Sequence, residues 1–319
     1  MTYILLIAGF ILLIKGAGYF VDSASEIAGK MNVSPLIIGL TIVAFGTSAP
    51  EAVVSIIAAL DNNGDMVTGN IVGSNIVNIT LQLGVTGLIS PMAIERETQT
   101  REIPFSLAAA FLVLILISDQ LLFSKEAALI SRVDGIILLA GIGLFLYYIF
   151  VKARRTKKSL EEKEENPDTD SSWTKNIIML TIGLAGIIIG GDFVVDSASE
   201  IALSLGMSQA LVGLTIVALG TALPELTTSI TAARKGEASL AIGNLIGSNI
   251  FNIFFVLGIS AVIKPLDVSG VLFTDTWILI GATVMLLMLA LWRKTFSRIE
   301  GALLAGLYLV YFVYIIIRG

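Results

Sequence analysis

Runs of apolar residues, broken at intervals by clusters of charge, divide the chain into about ten segments of bilayer-spanning length. A transmembrane helix needs roughly 20 mostly apolar residues. The segments fall at 2–28, 35–60, 66–90, 102–121 and 131–151, then at 175–202, 208–233, 238–262, 273–291 and 299–317. Between the two groups of five lies VKARRTKKSLEEKEENPDTDSSW, the one charged stretch of low hydrophobicity, which reads as a solvated linker. The pattern predicts an all-α polytopic membrane protein with a first repeat at 1–151, a linker at 152–174 and a second repeat at 175–319. Tyr3 to Ile14, followed by Lys15, has the length of a signal-peptide core, but no convincing small-residue cleavage site follows it. It reads as part of the first span.

The two groups repeat one another. FVDSASEIA at Phe20 returns as VVDSASEIA at Val194, GLTIVAFGTSAPE as GLTIVALGTALPE, and GNIVGSNIVNI as GNLIGSNIFNI, all at a constant offset of 174 positions. Such self-similarity marks an internal duplication, with its densest blocks at 39–79 and 213–253. An odd number of spans per half makes the second half enter the membrane from the opposite side, so the repeats are inverted. Basic residues give an independent reading of orientation. With the linker cytoplasmic, the inside collects Lys30, Arg96, Arg101, the linker cluster, Lys175, Arg234, Lys235, Arg293, Lys294 and Arg298, while the outside keeps Lys125, Arg132, Lys264 and Arg318. That asymmetry fits the positive-inside rule and places both termini outside, in a multi-pass protein of the cell membrane.

Composition narrows the chemistry. Hydrophobic residues make up 55% of the chain and charged ones 14%, leaving no room for a sizeable soluble or nucleic-acid-binding domain. Cysteine and histidine are both absent, which excludes thiolate and imidazole metal sites and leaves carboxylates to carry any proton chemistry. No nucleophile with a plausible base or aspartate dyad is present, so an intramembrane enzyme is not expected and no cofactor is implied.

Against that background the stretch GTSAPE, Gly46 to Glu51, is out of place inside an apolar run. A charged side chain at mid-membrane costs on the order of 3 kcal/mol even on lenient insertion scales, and Glu51 and Glu225 both incur this cost at equivalent repeat positions. An in-plane two-fold axis would bring them together, where like charges repel unless a cation lies between them. Thr47, Glu51 and Ser55 follow an i, i+4, i+8 spacing that shares one helix face, as do Thr221, Glu225 and Ser229. Ser74 with Asn78, and Ser248 with Asn252, supply further oxygens, the ligand type of calcium and other hard cations. Pro50 and Pro224 remove a backbone donor, freeing carbonyls around Ala44 to Thr47 and Ala218 to Thr221. The glycines of GNIVGSN and GNLIGSN are expected to loosen their helices in the same way. Any one of these hydroxyls or prolines alone could be ordinary helix glue or a kink; the duplicated glutamate with the same flanking hydroxyls argues for a site. Asp22, Glu26, Asp196 and Glu200, also duplicated, fall near helix ends and read as solvated ends or ion vestibules.

GTSAPE with GNIVGSNIVN, repeated as GTALPE with GNLIGSNIFN, closely resembles the alpha-repeats of the cation/calcium antiporter superfamily, in particular its sodium/calcium exchangers. The resemblance covers essentially the whole chain. It implies a calcium site at Glu51 and Glu225 with the backbone carbonyls of Thr47 and Thr221. It further implies sodium sites using Ala44, Ser48, Ser74, Ala218 and Ser248, with Asn78 and Asn252 near the centre. Two departures stand out: Ala222 replaces a serine common in relatives, and Asn252 stands where potassium-dependent members carry aspartate. The GN motifs lack the further glutamate usual in the proton-coupled branch.

The expected activity is secondary antiport, with sodium driving calcium by alternating access, and the partners are calcium, sodium and the lipid bilayer. Two glutamates match one calcium or two sodium ions, and a third sodium on neutral oxygens would make the exchange electrogenic. A proton-driven exchanger of the same fold and a glutamate-lined cation channel are the alternatives. The chain is expected to work as a monomer.

Overall fold

The computed structural model describes residues 2–118, 128–161, 172–207, 218–293 and 295–318. The first repeat runs α1 (Thr2–Met31), α2 (Pro35–Thr47), α3 (Ala49–Leu60), α4 (Gly64–Ile89), α5 (Thr98–Ile117) and α6 (Arg132–Glu161). The second runs α7 (Trp173–Ser204), α8 (Ala218–Gly220), α9 (Leu223–Arg234), α10 (Ala238–Ile263), α11 (Gly270–Trp292) and α12 (Arg298–Arg318). Among the described residues, eight helices are each long and apolar enough to cross a membrane, and α2 with α3 forms a ninth, broken span. The seventh expected span, 208–233, lies partly outside the described residues and contributes α8 and α9. Helix α6 continues past its expected end at 151 to Glu161, because the basic and acidic residues that follow are good helix formers.

Helices α1 and α7 lie antiparallel against each other at backbone contact. A Cβ on Gly9 would stand 2.9 Å from the Gly190 carbonyl oxygen, and one on Gly16 would stand 2.8 Å from that of Gly183. Small residues let the two backbones approach where lipid offers no hydrophobic drive for association. Their remaining surfaces carry exposed Ile4, Ile7, Ile11, Ile14, Ile178, Ile182 and Ile189, which suit a bilayer.

The buried core lies instead in α4 and α10, the third spans of the two halves, about two-thirds or more of whose apolar windows are enclosed. Two small antiparallel ribbons tie the halves together. Strand β1 (Met92–Ala93) pairs with β4 (Thr295–Phe296), and β2 (Ala128–Ile130) pairs with β3 (Leu266–Val268). Each ribbon joins the exit of a third span to the start of the other half's last span. Followed along the chain, the first ribbon falls on the linker side and the second on the side of the termini. The pattern is that of two halves related by inversion.

The duplication also reaches the last spans, at a different offset. SRVDG at Ser131 returns as SRIEG at Ser297, 166 positions later. Asp134 accepts from the Ser131 N–H and hydroxyl at 2.7 Å each, and Glu300 accepts from the Ser297 N–H at 2.9 Å and from its hydroxyl. Both are side-chain caps that satisfy helix-start donors.

Candidate cation site

The site begins with two matching breaks. Ser48 (φ −85°, ψ 7°) separates α2 from α3, which are bent by 48°, and Ala222 (φ −83°, ψ −5°) sits just before α9 with almost the same backbone. Pro50 and Pro224 lie in the first turns that follow, where a missing N–H costs nothing. Glu51 and Glu225 occupy the same first turns. The positive end of each half-helix thus faces a carboxylate, while α2 ends with its carbonyls directed at the same region.

Both carboxylates are enclosed, Glu51 at 2% exposure and Glu225 at 1%. Ser48 of the first half donates to Glu225 Oε1 of the second at 2.9 Å. Thr47, buried, has a single hydroxyl proton and three acceptors within reach: Asn244 Oδ1 at 2.9 Å, the Val43 carbonyl at 3.1 Å and the Ala44 carbonyl at 3.4 Å. The Ala44 carbonyl also receives the Ser48 N–H at 3.0 Å, so one of its lone pairs is engaged rather than free. Ser55 and Ser229 are buried and receive the amides of Asn70 and Asn244 at 3.0 and 2.9 Å. The same two amides reach the backbone carbonyls of Glu51 and Glu225, at 3.4 and 3.3 Å.

Asn78 and Asn252 are buried where α4 and α10 cross. Asn78 donates to Asn249 Oδ1 at 3.0 Å, Asn252 to Asn75 Oδ1 at 3.4 Å, and Asn75 to the Asn249 carbonyl at 3.2 Å. Each opens a widened helical segment, Asn78–Gln82 and Asn252–Leu257, of the kind often found at functional sites. The widening follows the GN motifs instead of occurring at their glycines, which corrects the expected loosening. Gly243 and Gly247 serve close packing: added Cβ atoms would stand 2.7 Å from the Leu36 carbonyl and 2.8 Å from the Leu40 Cα. Ser248 is fully buried and Ser74 half-buried. The backbone of Ala218 opens α8, and Thr221 follows in the turn before α9.

Among the described residues Glu51 Oε2, Glu225 Oε2, Ser248 Oγ and Asn252 Oδ1 are buried oxygens without a hydrogen-bond partner. Buried acceptors in such number are costly unless something electropositive joins them. The donor set is all oxygen, and among the described residues no three or more acidic, histidine or cysteine side chains are placed together to hold a metal ion. Two carboxylates surrounded by neutral oxygens suit a hard cation of low charge. The amides of Asn70, Asn244, Asn75, Asn249 and Gln82 were not singled out from sequence. The first four lie at duplicated positions inside the GN motifs, which is the signal that could have found them; Gln82, which donates to the Ala222 carbonyl at 3.2 Å, faces Val256 in the repeat and had none.

The duplicated acids outside the centre are mostly exposed. Asp22 is 57% exposed and pairs with Lys235 at 2.6 Å, and Asp196 and Glu200 are exposed on α7.

A cavity of about 420 Å³ reaches the site from the side of the termini, lined by Asn70, Ser74 and Thr221 among others. Their counterparts toward the linker, Asn244, Ser248 and Thr47, are all at 0% exposure. Among the described residues a cavity thus borders Asn70, Ser74 and Thr221 on one face, their counterparts on the other are enclosed, and the two carboxylates themselves are buried.

Comparison with known proteins agrees with this architecture. The model of the family described as "Sodium/calcium exchanger protein" matches residues 1–151 and 175–317, the two repeats without the linker. The sodium/calcium exchanger MaX1 of Methanosarcina acetivorans is 34% identical over 344 aligned positions, covering 98% of this chain and 97% of its own. The inner membrane protein YrbG of Escherichia coli is 34% identical, with 96% and 94% covered. A solved structure of the sodium-calcium exchanger NCX_Mj superposes with a TM-score of 0.81 at 30% identity, over 98% of each chain. With both repeats matched and the likeness running nearly end to end, the chain belongs to the sodium/calcium exchanger family.

Proposed function

We propose that this protein is a sodium-driven calcium antiporter working by alternating access around the Glu51–Glu225 centre. The observation that carries the reading is a pair of buried carboxylates, one from each inverted repeat, linked across the repeats by the Ser48–Glu225 hydrogen bond amid further unpartnered buried oxygens. Two negative charges balance one calcium or two sodium ions, so the same centre serves both ions in turn. A third sodium on neutral oxygens such as Ser74, Ser248, Asn78 and Asn252 would leave one charge to move per cycle, giving electrogenic exchange. The MaX1 name and the NCX_Mj structures, soaked with sodium, calcium or strontium, support the ion pair. The absence of a further glutamate in the GN motifs supports sodium over protons as the driver. The basic linker side is assigned to the cytoplasm and the termini to the outside. Helices α1 and α7, joined through glycine at backbone distance, provide the smooth pair that slides across the remaining spans.

The test is radiolabelled calcium uptake into proteoliposomes under imposed sodium, potassium or proton gradients, with the membrane potential clamped. Uptake driven by sodium and altered by potential is expected. Uptake driven by a proton gradient without sodium would replace the sodium reading by the proton one, and flux without any counter-ion would indicate a channel.

A further inference from the structure

The cavity that leads from the terminal face to Ser74 and Thr221 has a charged wall. Asp275 of α11 and Arg318 of α12 both line it, joined by a two-pronged ion pair at 2.7 and 3.1 Å. The Arg318 guanidinium also lies 5.2 Å from the Tyr314 ring centroid. The Asp275 side chain is 12% exposed and that of Arg318 28%, so the pair is largely enclosed yet still faces the cavity. Asp65, with one oxygen held by the Ser269 N–H at 2.9 Å, is the other acidic group on this wall.

A guanidinium on the path to a cation site needs a reason. If the pair only fastened α11 to α12, it could lie anywhere along them. The inverted repeat shows a counterpart that does so. At the 166-position offset, Arg318 corresponds to Lys152 and Tyr314 to Tyr148. Lys152 and Tyr148 both donate to the buried Glu102 of α5, at 2.9 and 2.6 Å, and Lys152 also pairs with Glu97 at 2.8 Å. That cluster borders a different cavity, which none of the central oxygens lines. The basic residue and the tyrosine of the two clusters are equivalent in sequence, their acidic partners are not, and of the two ion pairs Asp275–Arg318 is the one that lines the cavity reaching Ser74 and Thr221.

We propose that the Asp275–Arg318 pair sets the charge that cations meet on the way in from the terminal face, and so tunes calcium access from that face alone. This rests on the cation-antiporter reading of the centre. With the pair intact, Arg318 is neutralised at contact distance and the vestibule keeps the net negative charge of Asp65. Removing the carboxylate leaves an uncompensated cation in a confined, low-dielectric passage, where its field is felt over several ångströms. Removing the guanidinium does the reverse.

Calcium titrations on oriented vesicles, with calcium presented to one face at a time, test this. Asp275→Asn is expected to raise the terminal-face calcium KM by about 3- to 10-fold, and Arg318→Gln to lower it by a similar factor. Both shifts should shrink as impermeant salt is added, and the linker-face KM should stay at its wild-type value. The double variant should return close to wild type. Single variants that both raise the KM, or that change it equally at the two faces, would overturn the proposal in favour of a purely structural pair. If the single variants do not fold, Arg318→Lys carries the test: its terminal-face KM should be that of wild type, and a shift would overturn the proposal. An absence of calcium flux in the wild-type protein would instead overturn the antiporter reading, so the two failures are distinct.

Discussion

The two repeats share their motifs and differ in how those motifs are packed. In the second, Gly243 and Gly247 sit at backbone contact with α2, and Asn244 and Ser248 beside them are fully buried. In the first, the equivalent Gly69, Gly73, Asn70 and Ser74 line a cavity, and positions 210 and 214, which answer to Leu36 and Leu40, lie outside the described residues. Among the described residues, one sequence pattern thus occurs both enclosed and on a cavity wall. Glycine permits backbone contact without demanding it, and the asparagine keeps its amide bond to Ser55 or Ser229 in either setting. Under the proposed alternating access, exchanging the two environments between the halves would bring the cavity to the other face.

The halves should be most alike at the carboxylates. Glu51→Gln and Glu225→Gln are each expected to reduce calcium transport by at least ~100-fold, since removing one charge from a buried, mutually compensated set costs several kcal/mol. Uptake assays on purified variants with wild-type melting temperatures check this. Near-normal flux in either variant would remove the centre from the mechanism.

The glycines should divide the halves. A valine at Gly243 collides with backbone in the sealed half, and is expected to lower transport by about 10- to 100-fold through overpacking that α2 must relieve by moving. Gly69→Val faces the cavity in this conformation and should bind calcium from the terminal face as wild type does, while turning over slowly because the first half can no longer seal. Calcium binding measured beside flux separates the two. Equal loss of binding in both variants would mean that the packing difference is unrelated to exchange.

The sequence made much of this visible, for physical reasons that can be named. Spans are written in apolar length, inversion in odd span number, and the centre in glutamates that lipid would otherwise reject. Amides such as Asn75 and Asn249 escaped notice because an asparagine in a membrane helix is as often adhesive as functional, and their mutual contact exists only after the halves are folded together. The role of Gly243 was misread as loosening, since sequence shows that a side chain is missing but not which backbone fills the space. The pairing of Lys152 with Glu102, and of Arg318 with Asp275, was hidden by the change of offset between the middle and the last spans.

The absence of cysteine from the chain makes the open and sealed halves directly measurable. Gly73→Cys, on the cavity wall, should react with a membrane-impermeant thiol reagent added to the terminal face, and calcium should slow the reaction. Gly247→Cys, packed against Leu40, should react at least ~10-fold more slowly from either face, because a thiol reports its access to solvent. Equal rates would mean that the asymmetry does not persist in the membrane.

The smallest expected effect concerns the one proposed ligand position at which the repeats differ chemically. Ser48 and Ala222 have nearly the same backbone angles, and Ser48 donates to the opposite half's Glu225. A serine at 222 would be placed to donate to Glu51 in the same way, and Glu51 Oε2 has no hydrogen-bond partner among the described residues. A hydrogen bond to a charged acceptor is worth about 1.5 to 3 kcal/mol net, and most of that is lost when calcium itself occupies the carboxylate. Ala222→Ser is therefore expected to change calcium affinity by only about 3-fold, while raising sodium affinity more, because the added hydroxyl oxygen can turn its lone pair toward a monovalent ion that the carboxylate holds less tightly. Paired calcium and sodium half-saturation measurements would show this as a change in their ratio. A parallel change in both would mean that the serine acts only on the fold around α9, and that the inequality between the halves lies in their packing alone.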